Sequence, residues 1–116
     1  MGKVRATLVG RGSIRAKLYD LGDYPGARQN GASSARQVKG ELYRLRDAQN
    51  AIRLLDEYEE FFPGEPRRSL FVRRRTQVAL EDGGTRIAWV YLYNRPVDES
   101  RLIPNGDYRN PARRLR

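Results

Sequence analysis

The chain has 116 residues, 39% of them hydrophobic and 32% charged, with a formal net charge of +9, a balance that suits one globular domain with a modest core. It contains no cysteine and no histidine, which excludes disulfides, thiol nucleophiles, His-based triads and the usual zinc sites and leaves any catalysis to carboxylates, Lys, Tyr, Ser/Thr or backbone groups. No apolar run reaches the roughly 18–20 residues of a membrane span, and the first residues lack the apolar centre of a secretory leader, so a cytoplasmic location is the default expectation.

Residues 3–9, KVRATLV, alternate with the period of a strand and place Val4, Ala6 and Leu8 on one side. After Gly10 and Gly12, SIRAKLYDL repeats the pattern with Ile14, Ala16 and Leu18. Gly22, Pro25 and Gly26 predict a tight turn, and the small polar run 28–36 a mobile loop. VKGELYRL, 38–45, reads as a third strand. One helix follows, from Asp47 as N-cap to about Phe61, stopped by Pro63-Gly64. SLFVRRRTQVAL, 69–80, is a fourth strand, and EDGG, 81–84, a hairpin turn. TRIAWVYLY, 85–93, is apolar on both faces, as an interior strand covered on each side would be. From Asn94 onward Pro96, Pro104 and Pro111 predict loop, ending in a basic tail at 105–116. The order predicts a single α+β domain over residues 1–116, a curved sheet or small mixed β-barrel packed on one main helix.

The helix end LDEYEEF, 55–61, concentrates three glutamates and an aspartate in a basic chain. At about 100° per residue, Ala48, Ala51, Ile52, Leu55, Tyr58 and Phe62 share an apolar arc roughly 120° wide. Glu59 projects into that arc, between Leu55 and Ile52, whereas Glu57 and Glu60 project outside it. A carboxylate facing apolar surroundings has its neutral form favoured, which raises its pKa toward the range of a general acid or base. Two plainer readings stand beside this one: the helix unwinds before Pro63, or Glu59 pairs with an arginine. Asp56, at the arc edge, reads as a structural residue bonding to the backbone of a neighbouring loop.

Net charge and the pairs Phe71 with Arg73 and Arg75 have the composition of a nucleic-acid surface, but a solvated strand face is the preferred reading and nucleic acid is disfavoured as a partner. Arg73 or Arg75 could instead draw in an anionic substrate. Trp89, Tyr91 and Tyr93 alternate onto one strand face, where packing is the favoured role. Gly22, Pro25 and Gly26 serve backbone geometry, and Gly40 and Gly106 are candidates for close backbone approach.

Taken together, KLYDLGDYPGA (17–27), VKGELYRL (38–45), LLDEYEEF (54–61), WVYLY (89–93) and IPNGDYR (103–109) resemble the gamma-glutamyl cyclotransferase-like family, in its gamma-glutamylamine cyclotransferase branch. The resemblance implies a mixed β-barrel with a helix against it. It also implies an intramolecular reaction in which the α-amine of a γ-glutamyl group attacks its own γ-carbonyl, expelling an amine or amino acid and leaving 5-oxoproline. No metal and no cofactor takes part. The family's catalytic glutamate matches Glu59, and Tyr24, Tyr43 and Tyr91 match aromatics near the substrate cleft. Members begin with a strand ending in Tyr-Gly-Thr/Ser-Leu, whose turn supplies N–H donors to the substrate and its developing oxyanion. This chain has no Tyr-Gly pair, and Lys3 to Gly10 resemble the segment that follows the motif. A longer natural chain, a misassigned start or loss of the site would each account for that. A missing strand would leave a sheet edge unpaired, predicting a homodimer through that edge. The expected function is therefore release of 5-oxoproline from a small γ-glutamyl amine or peptide. The alternatives are a non-catalytic relative serving as a binding module and, less favoured, a basic nucleic-acid-binding β domain.

Overall fold

Residues 4–29 and 36–108 are described by the computed structural model of the chain. Along them run β1 (Ala6–Arg15), β2 (Lys17–Asp20), β3 (Pro25–Arg28), β4 (Gln37–Leu45), α1 (Ala48–Tyr58), β5 (Phe71–Leu80), β6 (Thr85–Tyr93) and β7 (Leu102–Ile103). One sheet has the order β4-β1-β5-β6 and the other β3-β2-β7, and every ladder is antiparallel. The α+β class with one helix and curved sheet is as expected. The mixed barrel is not: among the described residues the strands form two separate sheets, neither closed on itself.

Gly10 and Gly12 do not separate two strands. β1 runs straight through them, and the extra residue is absorbed by a register shift against β4 between Leu8 and Gly10, the signature of a bulge. Gly12 is needed for a different reason. A Cβ there would lie 2.8 Å from both the Ala79 carbonyl oxygen and Val78 Cγ1, so β5 could not cross β1 at this distance with a larger residue. Gly22 makes the turn expected of it at φ 105°, but Pro25 and Gly26 belong to β3. The Asn94-onward segment is not all loop either, since Leu102 and Ile103 pair with Tyr19 and Leu18. Gly106, at φ 65°, lies against β4, where an added Cβ would collide with the Gln37 carbonyl; Gly40 has open space around it. The predicted loop at 28–36 and the tail at 105–116 fall largely outside the described residues.

The core lies between the two sheets, where Ala16, Leu18, Ala27, Val72 and Leu92 are buried together. On β5 and β6 these are the even-numbered positions, with Val72 opposite Leu92. The odd-numbered positions, Arg73, Arg75, Tyr91, Trp89 and Ile87, therefore share the opposite face, and it is toward this face that α1 is fastened.

Candidate active site

The fastening starts at the helix end. Helix α1 stops at Tyr58 rather than near Phe61, with Glu59 as its C-cap and Glu60 in the left-handed region at φ 54°. Phe61 N–H donates to the Asp56 carbonyl at 2.8 Å and Glu60 N–H to the Glu57 carbonyl at 3.2 Å, the paired bonds of a Schellman motif. The chain then doubles back: Phe62 N–H donates to Ser69 Oγ at 2.8 Å and Leu70 N–H to the Glu60 carbonyl at 3.0 Å. Asp47 does precede the helix, but in the left-handed region and without a side-chain capping bond.

Asp56 is buried, and its carboxylate accepts from Arg73 Nε at 2.8 Å, from the Arg73 guanidinium again at 3.2 Å, and from the Tyr91 hydroxyl at 2.6 Å. These partners are side chains on β5 and β6, directly opposite each other in the ladder, not the loop backbone expected from the sequence. The Arg73 guanidinium lies 4.3 Å from the Trp89 ring centroid and 5.5 Å from that of Phe61, so it bridges helix end and sheet by charge and by ring stacking. Arg73 is thus not the solvated strand residue its sequence context suggested. Removing one partner from such a poorly exposed pair costs about 3–5 kcal/mol, because the other charge stays behind uncompensated.

The hydrogen bond that Arg73 donates to Asp56 pushes its guanidinium above its ordinary pKa. Burial, followed by the hydrogen bond to Asp56 and the negative charge of that residue, pushes the Tyr91 hydroxyl well above the usual phenol value, and the Glu59 charge adds to the effect. Tyr91 is accordingly a neutral hydroxyl whose proton is committed to Asp56, leaving its oxygen as an acceptor.

An open groove of about 710 Å³ lies between α1 and the curled sheet, within the usual size range of small-ligand sites. Its helix side is made by Ala48, Ile52, Leu55 and Glu59, and its sheet side includes Tyr43 on β4 and Trp89 and Tyr91 on β6. Both edge strands of the sheet line it, which is how far the sheet has curled. Of the four acids in residues 55–61, Glu59 is the one in the groove lining. Glu57 and Glu60 are exposed, as their helical angles require.

The structure thus brings Glu59, Tyr43 and Tyr91 to one groove. Tyr43 is exposed and donates its hydroxyl to Glu41 at 2.9 Å. Tyr24 is elsewhere, its ring 6.1 Å from that of the buried Phe71. Tyr58 and Phe62, assigned to the apolar arc, are exposed, and Phe62 lies beyond the end of α1. Trp89 was read as packed but is 49% exposed in the groove wall. The Asp56–Arg73–Tyr91 cluster escaped the sequence reading. Counting equally back from a turn at 81–84 places Arg73 across from Leu92, whereas the ladder pairs Ala79 with Thr85 and so brings Arg73 opposite Tyr91; a one-residue difference in turn length hid the pairing. Among the described residues no cluster of His, Cys, Asp or Glu is arranged to hold a metal ion, and no helix is long and apolar enough to cross a membrane.

Residues 2–110 match the family described as "Gamma-glutamyl cyclotransferase, AIG2-like". A relative from Niallia circulans, gamma-L-glutamyl-butirosin B gamma-glutamyl cyclotransferase, is 39% identical over 92 residues, 78% of this chain and 54% of the relative. The chain therefore spans about half that protein's length. The gamma-glutamylcyclotransferase family protein YtfP of Escherichia coli (strain K12) is 35% identical over 104 residues, 89% of this chain and 77% of YtfP. Among solved structures, YkqA from Bacillus subtilis superposes with a TM-score of 0.63 at 20% identity, covering 90% of this chain and 32% of YkqA, a likeness of fold. With the family match running over every described residue and through the helix end that carries Glu59, the chain belongs to the gamma-glutamyl cyclotransferase, AIG2-like family.

Proposed function

We propose that the groove binds a small γ-glutamyl amine or peptide and releases 5-oxoproline from it, with Glu59 as the proton carrier. The observation that supports this reading is the position of Glu59. It is the one acid of the helix end in the groove lining, set among Ile52, Leu55 and the aromatic wall of Trp89 and Tyr91. In the reaction the substrate's α-amine nitrogen forms a bond to its own γ-carbonyl carbon, giving a tetrahedral intermediate. The Glu59 carboxylate takes a proton from the attacking nitrogen. It then returns that proton to the leaving nitrogen as the original amide C–N bond breaks, so products carry the same atoms as the substrate and Glu59 ends as it began. The acceptor oxygen of Tyr91 is suited to orienting the substrate's N–H groups, and Tyr43 borders the same space. No metal or cofactor is needed for such a step.

The test is 5-oxoproline release from a panel of γ-glutamyl amines and dipeptides by the chain and by Glu59→Gln. General acid–base catalysis is worth about 10²–10⁴ in rate, and the variant is expected to lose activity on that scale while its fold, by circular dichroism, is unchanged. A folded wild-type chain that binds γ-glutamyl compounds but releases no 5-oxoproline would make it a non-catalytic relative instead.

A further inference from the structure

We propose that Asp56 is the positioning residue of this site: bound to Arg73 and Tyr91, it locks the end of α1 onto the sheet and sets where the Glu59 carboxylate stands and how readily it holds a proton. The inference rests on reading Glu59 as the proton carrier, but the measurement that tests it does not require turnover.

Three observations carry it. Asp56 and Glu59 are three residues apart at the helix end, so they lie on neighbouring parts of one helix face. Asp56 is one of the two residues of α1 that are buried, and a buried carboxylate with three hydrogen bonds to two adjacent strands has little freedom to move. Finally, the same residue is held at both ends, since its carbonyl receives the Phe61 N–H that closes the helix. Glu59 is the C-cap inside that closure. A shift of Asp56 therefore displaces Glu59 along with it, and Tyr91, hydrogen-bonded to the first, lines the same groove as the second.

The electrostatic consequence has a definite sign. The Asp56 carboxylate engages the Arg73 cation and is itself a like charge beside Glu59. Replacing it with a neutral amide removes the like charge and frees the cation, and both changes favour ionised Glu59. The other charged and titratable groups lining the groove with Glu59 are Glu41, Tyr43 and Arg44 on β4 and Arg86 on β6, with Glu57 and Glu60 exposed beside it. All are common to wild type and variant, so a difference between the two isolates Asp56.

The experiment follows carboxyl carbons of labelled glutamate, the Tyr91 ring carbon bearing oxygen and the Arg73 Nε by nuclear magnetic resonance from pH 3 to 9. In the wild type a step in the Tyr91 and Arg73 signals is expected at the titration midpoint of Glu59, and it disappears in Glu59→Gln. In Asp56→Asn the Glu59 midpoint moves to lower pH by roughly 0.5 or more, about threefold or more in its ionisation constant. Tyr91 and Arg73 signals that ignore the Glu59 titration would overturn the proposal without any Asp56 variant, and so would an unmoved midpoint in folded Asp56→Asn. If the wild type titrates as described yet releases no 5-oxoproline, the positioning stands and the reading of the groove as a cyclotransferase site falls.

Discussion

At the scale of single residues, the site depends on protons that stay where they are. Tyr91 keeps its proton for Asp56, and Tyr19, fully buried, donates its hydroxyl to both carboxylate oxygens of Glu99 at 3.0 and 3.1 Å. Burial, then the bond and charge of Glu99, raise Tyr19 as burial and Asp56 raise Tyr91. A phenol whose pKa is higher folded than unfolded contributes its full stability below the unfolded value. Above that value the unfolded chain sheds the proton while the folded one retains it, so stability declines as pH rises. The ordinary phenol value of 10.0 therefore marks where the loss begins. Urea midpoints are expected to be flat with respect to these two residues from neutral pH to about 9 and to fall beyond about 10. The fall should be shallower in Tyr91→Phe; an identical alkaline slope in the two proteins would contradict the buried hydrogen bond. Glu59 was legible at this scale because helical angle alone separates it from Glu57 and Glu60. The Asp56 cluster was not, because periodicity within one element says nothing about which side chains wait on another. The single-residue angles also could not reveal that Tyr91 spends its proton on Asp56.

At the scale of the element, the end of α1 contains a conflict between local preference and local shape. The Schellman bonds require a left-handed residue at position 60, and glycine is the usual occupant because any Cβ there crowds the following carbonyl. Here it is Glu60, at φ 54°. Glu60→Gly is expected to raise stability by about 1 kcal/mol, less the extra chain entropy glycine brings to the unfolded state. A thermal or urea midpoint that falls in this variant would show that the Glu60 side chain contributes more than its backbone strain costs. The absence of that glycine also explains the misjudged helix boundary. With no stop signal before Pro63-Gly64, the pattern reads on to Phe61, and the helix instead closes three residues earlier through backbone bonds that leave no mark in residue type. Strand positions were read more faithfully than strand breaks. Alternation holds on each side of a bulge, so β1 could be recognised on both sides of Gly10, while its continuity depended on β1 carrying one residue, Val9, with no partner on β4.

At the scale of the whole molecule, β6 is where composition and environment disagree. Its sequence is that of an interior strand, yet among the described residues it stands at the edge of its sheet, in a ladder with β5 alone, with Ile87 61% and Trp89 49% exposed. An uncapped strand edge with large apolar side chains and a single charge, Arg86, lacks the features that usually prevent strand addition. We propose this edge as a place for the anticipated homodimer: antiparallel addition of β6 to β6 of a second copy would cover Ile87 and Trp89 and narrow the mouth of the groove they line. Two copies each carrying +9 repel one another, so added salt should strengthen the association by screening the charge, opposite to its effect on an ion-paired or nucleic-acid-bound assembly. Trp89 is the chain's one tryptophan, and its emission reports the event directly. Expected is a blue shift that grows with protein concentration and with salt, in step with a dimer in sedimentation, and both lost in Ile87→Lys, whose ammonium would have to be desolvated at the new interface. A chain that stays monomeric at high concentration and high salt, with unshifted Trp89 emission, would leave β6 an edge that the net charge alone suffices to protect.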